Sequence, residues 1–266
     1  MSKLKVLDLF SGIGGFSLGL ERTGGFETVA FCEIEPFPQK VLKKHWPEVP
    51  IYEDVRELTS AKLAADGITE IDIITGGFPC QDISVAGKQA GINENTRSGL
   101  WSECLRLVSK IRPRYALFEN VSNLLSGPAE QKGAWFSQVL ADLAKCGYDA
   151  EWRDIPAWTM GLPHARARVW IVAYPQQNRW TGILPCFLSK HEAQSFGASQ
   201  ATIALAASRS LDSRARGDSN GESPFLTGND GLSNQLDELG ASGNAVVPAI
   251  PEMIGNAILA AESDAI

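Results

Sequence analysis

Cys80 lies in Gly76-Gly77-Phe78-Pro79-Cys80-Gln81, a glycine- and proline-rich turn. A free cysteine is ordinarily a small buried core residue, and Cys104 and Cys146 fit that pattern on apolar helix faces. Cys80 does not, because it leads into the polar segment QDISVAGKQAGINENTRSG, which reads as a mobile lid. Backbone amides or nearby cations in such a turn can hold the thiol as thiolate, its nucleophilic form. Cys80 is therefore the candidate nucleophile. Glu119, followed by Asn120, comes directly after the apolar run 115–118. Desolvation at the edge of such a run raises the pKa of a carboxyl group, so that it can donate a proton at neutral pH. Glu119 is the candidate acid.

A second group of residues reads as a binding turn. Asp8-Leu9-Phe10-Ser11-Gly12-Ile13-Gly14-Gly15 joins a strand to a helix. Glycines there let backbone approach a ligand closely, and a helix amino terminus favours negative charge. The dinucleotide pattern GxGxxG fails because Ser17 stands where its third glycine belongs, which points to a nucleoside-type ligand over a nicotinamide one. On the turn alone, a tight bend with solvated carboxylates serves equally well. Glu33, at the end of the second strand and 18 residues beyond Gly15, tips the balance to ligand binding, since a carboxylate there can accept both ribose hydroxyls. Asp54, in a later loop, is placed to receive an adenine amino group.

These residues need a scaffold, and the pattern supplies one. Short apolar runs at 5–10, 28–32, 71–75, 115–118 and 169–173 read as buried strands. Helices are expected over 16–22 and 36–46, around Trp101, Cys104, Leu105 and Val108 at one-face spacing, and around 135–143. Strand and helix in alternation imply an α/β fold, a mainly parallel sheet with helices on both faces. Near Pro175 the texture changes. Residues 176–242 are rich in Ser, Gly, Ala, Gln and Asn and read as loop or partly disordered chain. Helical spacing returns over about 248–261, as a closing helix that packs back on the first part. The organisation expected is 1–175, 176–242 and 243–266.

Composition narrows the class. The 266 residues are 44% hydrophobic and 21% charged, a globular profile. No apolar run approaches the about 18 residues of a membrane span, and the first residues carry no signal-type apolar run, so a cytoplasmic protein with no membrane partner is expected. The five cysteines (Cys32, Cys80, Cys104, Cys146, Cys186) form no CxxC pair and the three histidines no HExxH motif, so reduced thiols and no metal are expected. A net charge of −7 argues against gripping nucleic acid with the whole surface but leaves room for a basic cleft.

In this order, DLFSGIGGF, GGFPCQ, FEN, GLPHARARVW and GNAVVP resemble the C5-cytosine DNA methyltransferases of bacteria and phages, over 4–174 and again over 243–262. The resemblance implies a Rossmann-like S-adenosylmethionine-dependent methyltransferase fold with a small irregular target-recognition insert at 176–242. It implies S-adenosyl-L-methionine as cofactor, lined by Phe10, Ile13, Gly14 and Gly15. Glu33 and the adjoining Ile34 would meet its ribose, and Asp54 and the adjoining Val55 its adenine. Pro79, Leu100 and Asn244 would lie close by. Arg166 and Arg168 would flank a flipped cytosine and its phosphates, with Gln81, Ser84, Gly87 and Lys88 closing over double-stranded DNA. The implied chemistry is addition of the Cys80 thiolate to C6, with Glu119 at N3 and Arg166 at O2, which makes C5 nucleophilic toward the methyl group.

Two departures accompany the resemblance. The family's Arg-x-x-Thr-x-x-Glu helix is not found, and 176–242 carries five basic against seven acidic residues, although 209–216 is arginine-dense. His164 stands where Gln is common. The related tRNA cytosine-C5 methyltransferases share the thiol and acid, but there a further proline usually precedes the Pro-Cys pair, where this chain has Phe78. The other alternative is a degenerate cofactor-binding protein with weak DNA binding. A monomer, with a cognate restriction endonuclease as a possible partner, completes the expectation.

Overall fold

The computed structural model describes residues 2–79, 100–127, 132–156, 167–176 and 245–264. Strands β1 (Leu4–Leu9), β2 (Phe26–Cys32), β3 (Ile51–Tyr52), β4 (Ile73–Gly76), β5 (Tyr115–Val121), β6 (Tyr148–Pro156) and β7 (Ala167–Pro175) form a seven-stranded sheet in the order β3-β2-β1-β4-β5-β7-β6. β1 to β5 are parallel, whereas β7 runs antiparallel to both neighbours. The helices are α1 (Gly15–Arg22), α2 (Pro36–His45), α3 (Ser60–Ala65), α4 (Trp101–Ile111), α5 (Ala134–Lys145) and α6 (Ala249–Asp264). This is the Rossmann-like architecture, and it brings the carboxyl ends of β1, β2, β4 and β5 to one edge.

Alternation along β1 assigns its two faces. Leu4 and Val6 join a core with Phe16 and Leu20 of α1 and Ile250, Ile254 and Ile258 of α6. Leu7 and Leu9 join the opposite core with Trp101, Leu107 and Val108 of α4 and Val139 and Leu143 of α5. Helices on both faces bury the strands almost completely, as a parallel sheet requires. Besides a 3-10 turn at Ser122–Leu125, three elements lie beyond the sequence expectation. β3 is two residues long, α3 is six, and β6 is an edge strand on which only Tyr148 and Ile155 are buried. The strand expected over 71–75 begins at Ile73.

The closing helix expected near 248–261 is α6, and it packs on α1. Small residues permit the approach: a Cβ on Gly15 would stand 2.6 Å from the carbonyl oxygen of Val246, and one on Gly19 would strike the carbonyl of Pro248 and the Pro251 ring. The hydroxyl of Tyr115 donates to Glu262 Oε1 at 2.7 Å, and Arg114 pairs with the same carboxylate. Gly19→Ala therefore forces α6 away from α1, with an expected loss of about 1–3 kcal/mol in urea unfolding. An unchanged midpoint would show that the two helices separate at little cost.

Candidate active site

The turn between β1 and α1 is bent at three positive-φ positions, Phe10 (51°), Gly12 (52°) and Gly14 (86°). For Phe10 this conformation is uncommon, and such strain concentrates at binding sites. Ser11 fastens the turn: its hydroxyl donates to the carbonyl of Asp8 at 2.6 Å and its amide to the carbonyl of Cys32 at 3.2 Å. At Gly14 two requirements coincide, the left-handed backbone and a Cβ position only 2.7 Å from the Trp46 ring. Among the described residues no atom beyond its chain neighbours stands within 4 Å of the Cβ position of Gly12, so they leave the turn open on that side.

Glu33 closes one end of the turn. Its Oε2 accepts from the Gly12 amide at 2.7 Å and its Oε1 from the Glu35 amide at 2.8 Å. Burial pushes its pKa up, against those two amide bonds, which pull it down. Ile34 beside it is 58% exposed, an apolar side chain left bare at the rim. Asp54 lies on the loop after β3, where Arg56 binds it through Nε at 2.9 Å to Oδ1 and through a terminal guanidinium nitrogen at 2.6 Å to Oδ2; that cation holds its carboxyl below the usual range. Val55 is buried, and its carbonyl accepts from Arg106 of α4 at 2.8 Å. Leu100 caps α4 and is half-buried.

The sheet brings Glu119 and Arg168 together. In the β5–β7 register Glu119 faces Trp170 and Val121 faces Arg168, so Glu119 and Arg168 are diagonal neighbours on one face. Arg168 Nε lies 2.9 Å from Glu119 Oε1, with side-chain exposures of 23% and 12%. Desolvation alone was the expected influence on Glu119; the structure adds a cation in contact. Glu119 Oε2 would be 3.4 Å from a Cβ on Gly77, so the carboxylate sits against the start of the thiol-bearing turn. Asn120, 2% exposed, donates from Nδ2 to the carbonyl of Phe78 at 3.1 Å. Phe78 stacks on Trp101 at 4.9 Å, which anchors the turn to within two residues of Cys80. Phe10, Ile13, Gly14, Gly15, Glu33, Pro79, Leu100, Glu119 and Arg168 thus stand at the carboxyl edge of the sheet, with Asp54 and Val55 following β3. Cys80, Gln81, Ser84, Gly87, Lys88, Arg166 and Asn244, and all of the insert 176–242 beyond Gln176, lie outside the described residues.

The described thiols, Cys32, Cys104 and Cys146, are each disfavoured as thiolates by burial. Burial pushes Cys32 up to about 12 and Cys104 higher still. Cys146, expected on an apolar helix face, instead caps α5 and is half-buried. Among the described residues no cluster of His, Cys, Asp or Glu could hold a metal ion, and no helix is long and apolar enough to cross a membrane.

The residues to which the sequence reading gave no positioning role are Asp8, Ser17, Thr75 and Asn120. Asp8 is fully buried and accepts from the hydroxyls of Ser17 at 2.8 Å and Thr75 at 2.7 Å. A lone acid in the apolar run KVLDLF was the available signal. Desolvation, opposed by those hydroxyls, raises its carboxyl to about 7. A carboxyl raised on folding stabilises the fold below its unfolded pKa near 4, and that contribution is lost as pH climbs through about 7. Asp8→Asn is accordingly expected to lessen the decline in stability between pH 4 and 8, by an amount on the order of 4 kcal/mol at the upper end. Parallel urea titrations would show this, and parallel slopes for the two proteins would refute it.

The sheet order, the reversed β7 and the strained turn opposite an acid–arginine pair define a Rossmann-like protein of the methyltransferase type. The C-5 cytosine-specific DNA methylase family profile matches residues 4–226, and the chain belongs to that family. It is 37% identical over 193 residues to the Type II methyltransferase M.Sau3AI of Staphylococcus aureus, covering 68% of this chain and 46% of the relative. It is 37% identical over 174 residues to the Type II methyltransferase M2.BsuMI of Bacillus subtilis, covering 64% and 42%. The chain thus spans less than half the length of these curated relatives. An E. coli prophage-encoded protein assigned to the DNA modification methyltransferases superposes with a TM-score of 0.57 at 26% identity, covering 70% of this chain and 52% of that one. The S. pombe Dnmt2 methyltransferase superposes at 0.53 and 21% identity, covering 68% and 54%, a likeness of fold.

Proposed function

We propose that this protein transfers a methyl group from S-adenosyl-L-methionine to C5 of a flipped-out cytosine in double-stranded DNA, through a covalent bond between Cys80 and C6. The observation that carries the reading is the placement of the Glu119–Arg168 pair against Gly77, on the turn that Asn120 pins two residues before Cys80. The reactive ring atoms of a pyrimidine would lie between a thiol on one side and an acid and a cation on the other.

The residues fit the cofactor. A strained, glycine-opened turn with open space over Gly12, a buried Glu33 at its end and a bare Ile34 make a slot for a nucleoside, with two amide-held carboxylate oxygens where ribose hydroxyls would bind. Phe10, Ile13, Gly14 and Gly15 would form its floor, Glu33 and Ile34 its ribose side, Asp54 and Val55 its adenine side, with Pro79, Leu100 and Asn244 nearby. When bound, the cofactor supplies a methyl group on a sulfonium, an electrophile that unactivated cytosine C5 does not attack.

The chain supplies the activation. Cys80 thiolate forms a bond to C6, and the C5–C6 π electrons are driven toward N3 and O2. Glu119 protonates or hydrogen-bonds N3, and Arg166 and Arg168 hold the charge at O2. C5 is then an enamine carbon. After methylation water takes the C5 proton, the C6–S bond breaks to release the Cys80 thiolate, and N3 returns its proton to the Glu119 carboxylate. A base inside a duplex cannot be reached this way, so the target must leave the stack, with Gln81, Ser84, Gly87 and Lys88 closing over the DNA. Residues 176–242 would read the target sequence, and a cognate restriction endonuclease would share it. The protein would act as a cytoplasmic monomer.

Duplex DNA carrying 5-fluorocytosine tests the reading, because fluorine blocks loss of the C5 substituent and traps the adduct. A cofactor-dependent covalent complex through Cys80 is expected. Its absence, with cofactor bound and the natural target present, would overturn the mechanism. Label recovered in tRNA and not in DNA would change the substrate.

A further inference from the structure

The described residues contain two buried acids, Asp8 and Glu33, and the chemistry above uses only Glu33. Asp8 occupies an inward position of β1, on the face that otherwise holds Leu4, Val6 and the apolar side of α1. Burying a carboxylate is costly unless its oxygens are hydrogen-bonded. Here each oxygen takes a different partner. Oδ2 accepts from Ser17 Oγ at 2.8 Å, on the first turn of α1, and Oδ1 accepts from Thr75 Oγ1 at 2.7 Å, near the end of β4. The main-chain carbonyl of Asp8 accepts from Ser11 Oγ at 2.6 Å, so both ends of the glycine turn are fastened to this one residue. Thr75 in turn leads directly into Gly76, Gly77 and Phe78, the approach to Cys80. Glu33 is the neighbouring charge, from the end of β2.

We propose that Asp8 is a positioning residue that locks the cofactor turn in register with the thiol-bearing turn, one carboxylate oxygen holding each. The proposal rests on the methyltransferase reading. Parallel pairing of β1 with β4 already sets Asp8 opposite Thr75, but backbone pairing stops at Gly76 and does not include α1. The carboxylate extends that register sideways to Ser17. A ligand that tightens the turn then also tightens Gly76–Phe78 through Thr75, because Ser17 of α1 and Thr75, which leads into that segment, hold the same carboxylate. Transmission of this kind needs a physical link with partners at both ends, and Asp8 has them.

The test uses the full chain and three variants, Thr75→Val, Thr75→Ser and Ser17→Ala. Amide exchange is followed at residues 11–17 and 76–78, with and without saturating S-adenosylmethionine. Cofactor affinity is measured by calorimetry, and adduct formation on 5-fluorocytosine duplex DNA is timed. In the parent chain the cofactor is expected to slow exchange in both segments. Thr75→Val should bind cofactor within about twofold of the parent and protect 11–17. It should fail to protect 76–78 and form adduct about tenfold more slowly, the cost of about one hydrogen bond. Thr75→Ser should restore both losses. Ser17→Ala should weaken cofactor binding by about tenfold and also uncouple 76–78. It carries the exchange test if Thr75→Val does not fold. Protection of both segments in Thr75→Val or Ser17→Ala, or no rescue by serine, would overturn the proposal and leave Asp8 as packing. A parent chain in which cofactor protects neither segment overturns this proposal and the cofactor reading together. Protection without any adduct or methyl transfer overturns the function and leaves the register intact.

Discussion

Cys80→Ala will bind S-adenosylmethionine as tightly as the parent chain and transfer no methyl group. C5 of cytosine is too weak a nucleophile to attack a sulfonium carbon unaided. In the proposed mechanism the Cys80 sulfur would provide the electrons that make it one, and alanine has none to give. The expected fall in turnover is at least about 10^4-fold, the scale on which removal of a covalent nucleophile acts. Cofactor affinity should be untouched, because the turn at 10–15 and Glu33 are built from β1, β2 and α1 and not from the thiol-bearing segment. The comparison is incorporation of labelled methyl into duplex DNA against cofactor binding by calorimetry. If the variant loses its cooperative unfolding and its cofactor binding instead, Cys80 is a core residue like Cys32 and Cys104, whose thiols burial holds out of reach. If it keeps a substantial rate, the base is methylated without a covalent adduct.

The pieces of the fold that were legible in the sequence are those buried on both faces. β1, β2, β5 and β7 are predominantly apolar because helices cover both sides. β6 escaped because it is an edge: Asp149, Glu151, Arg153 and Asp154 lie along it, and an edge strand needs little apolar pattern. The reversal of β7 was not legible at all. Hydrophobic periodicity carries no strand direction. The site divides the same way. Glu33 was legible because its distance from the glycine turn is set by one strand–helix–strand unit. The contact of Arg168 with Glu119 depends on the antiparallel register of β5 and β7, and that of Asp8 with Thr75 on the pairing of β1 and β4. Both are properties of neighbours 49 and 67 residues away in sequence, which spacing alone does not bring together.

Register also makes Glu119 a sharp test of the proposed chemistry. Glu119→Gln keeps the length and planarity of the side chain, and its amide oxygen can still accept from Arg168 Nε, which lies 2.9 Å from Oε1 in the parent. The sheet, the Asn120 bond to Phe78 and the cofactor turn should all survive, since none is made by the carboxylate charge. What glutamine cannot do is give a proton to N3. It can only donate a hydrogen bond there, so charge that the acid would neutralise stays on the ring as the thiolate adds. Turnover should fall by about 10²–10³-fold, the range over which a positioned acid or oxyanion donor acts. The Michaelis constant for DNA and the cofactor affinity should stay within a few-fold of the parent. The same loss should appear in the rate of adduct formation on 5-fluorocytosine DNA, because the acid works at the addition step. A variant that forms adduct at the parent rate but turns over slowly would place Glu119 after addition. One that turns over normally would remove it from the chemistry and leave the pair with Arg168 as a structural brace between β5 and β7.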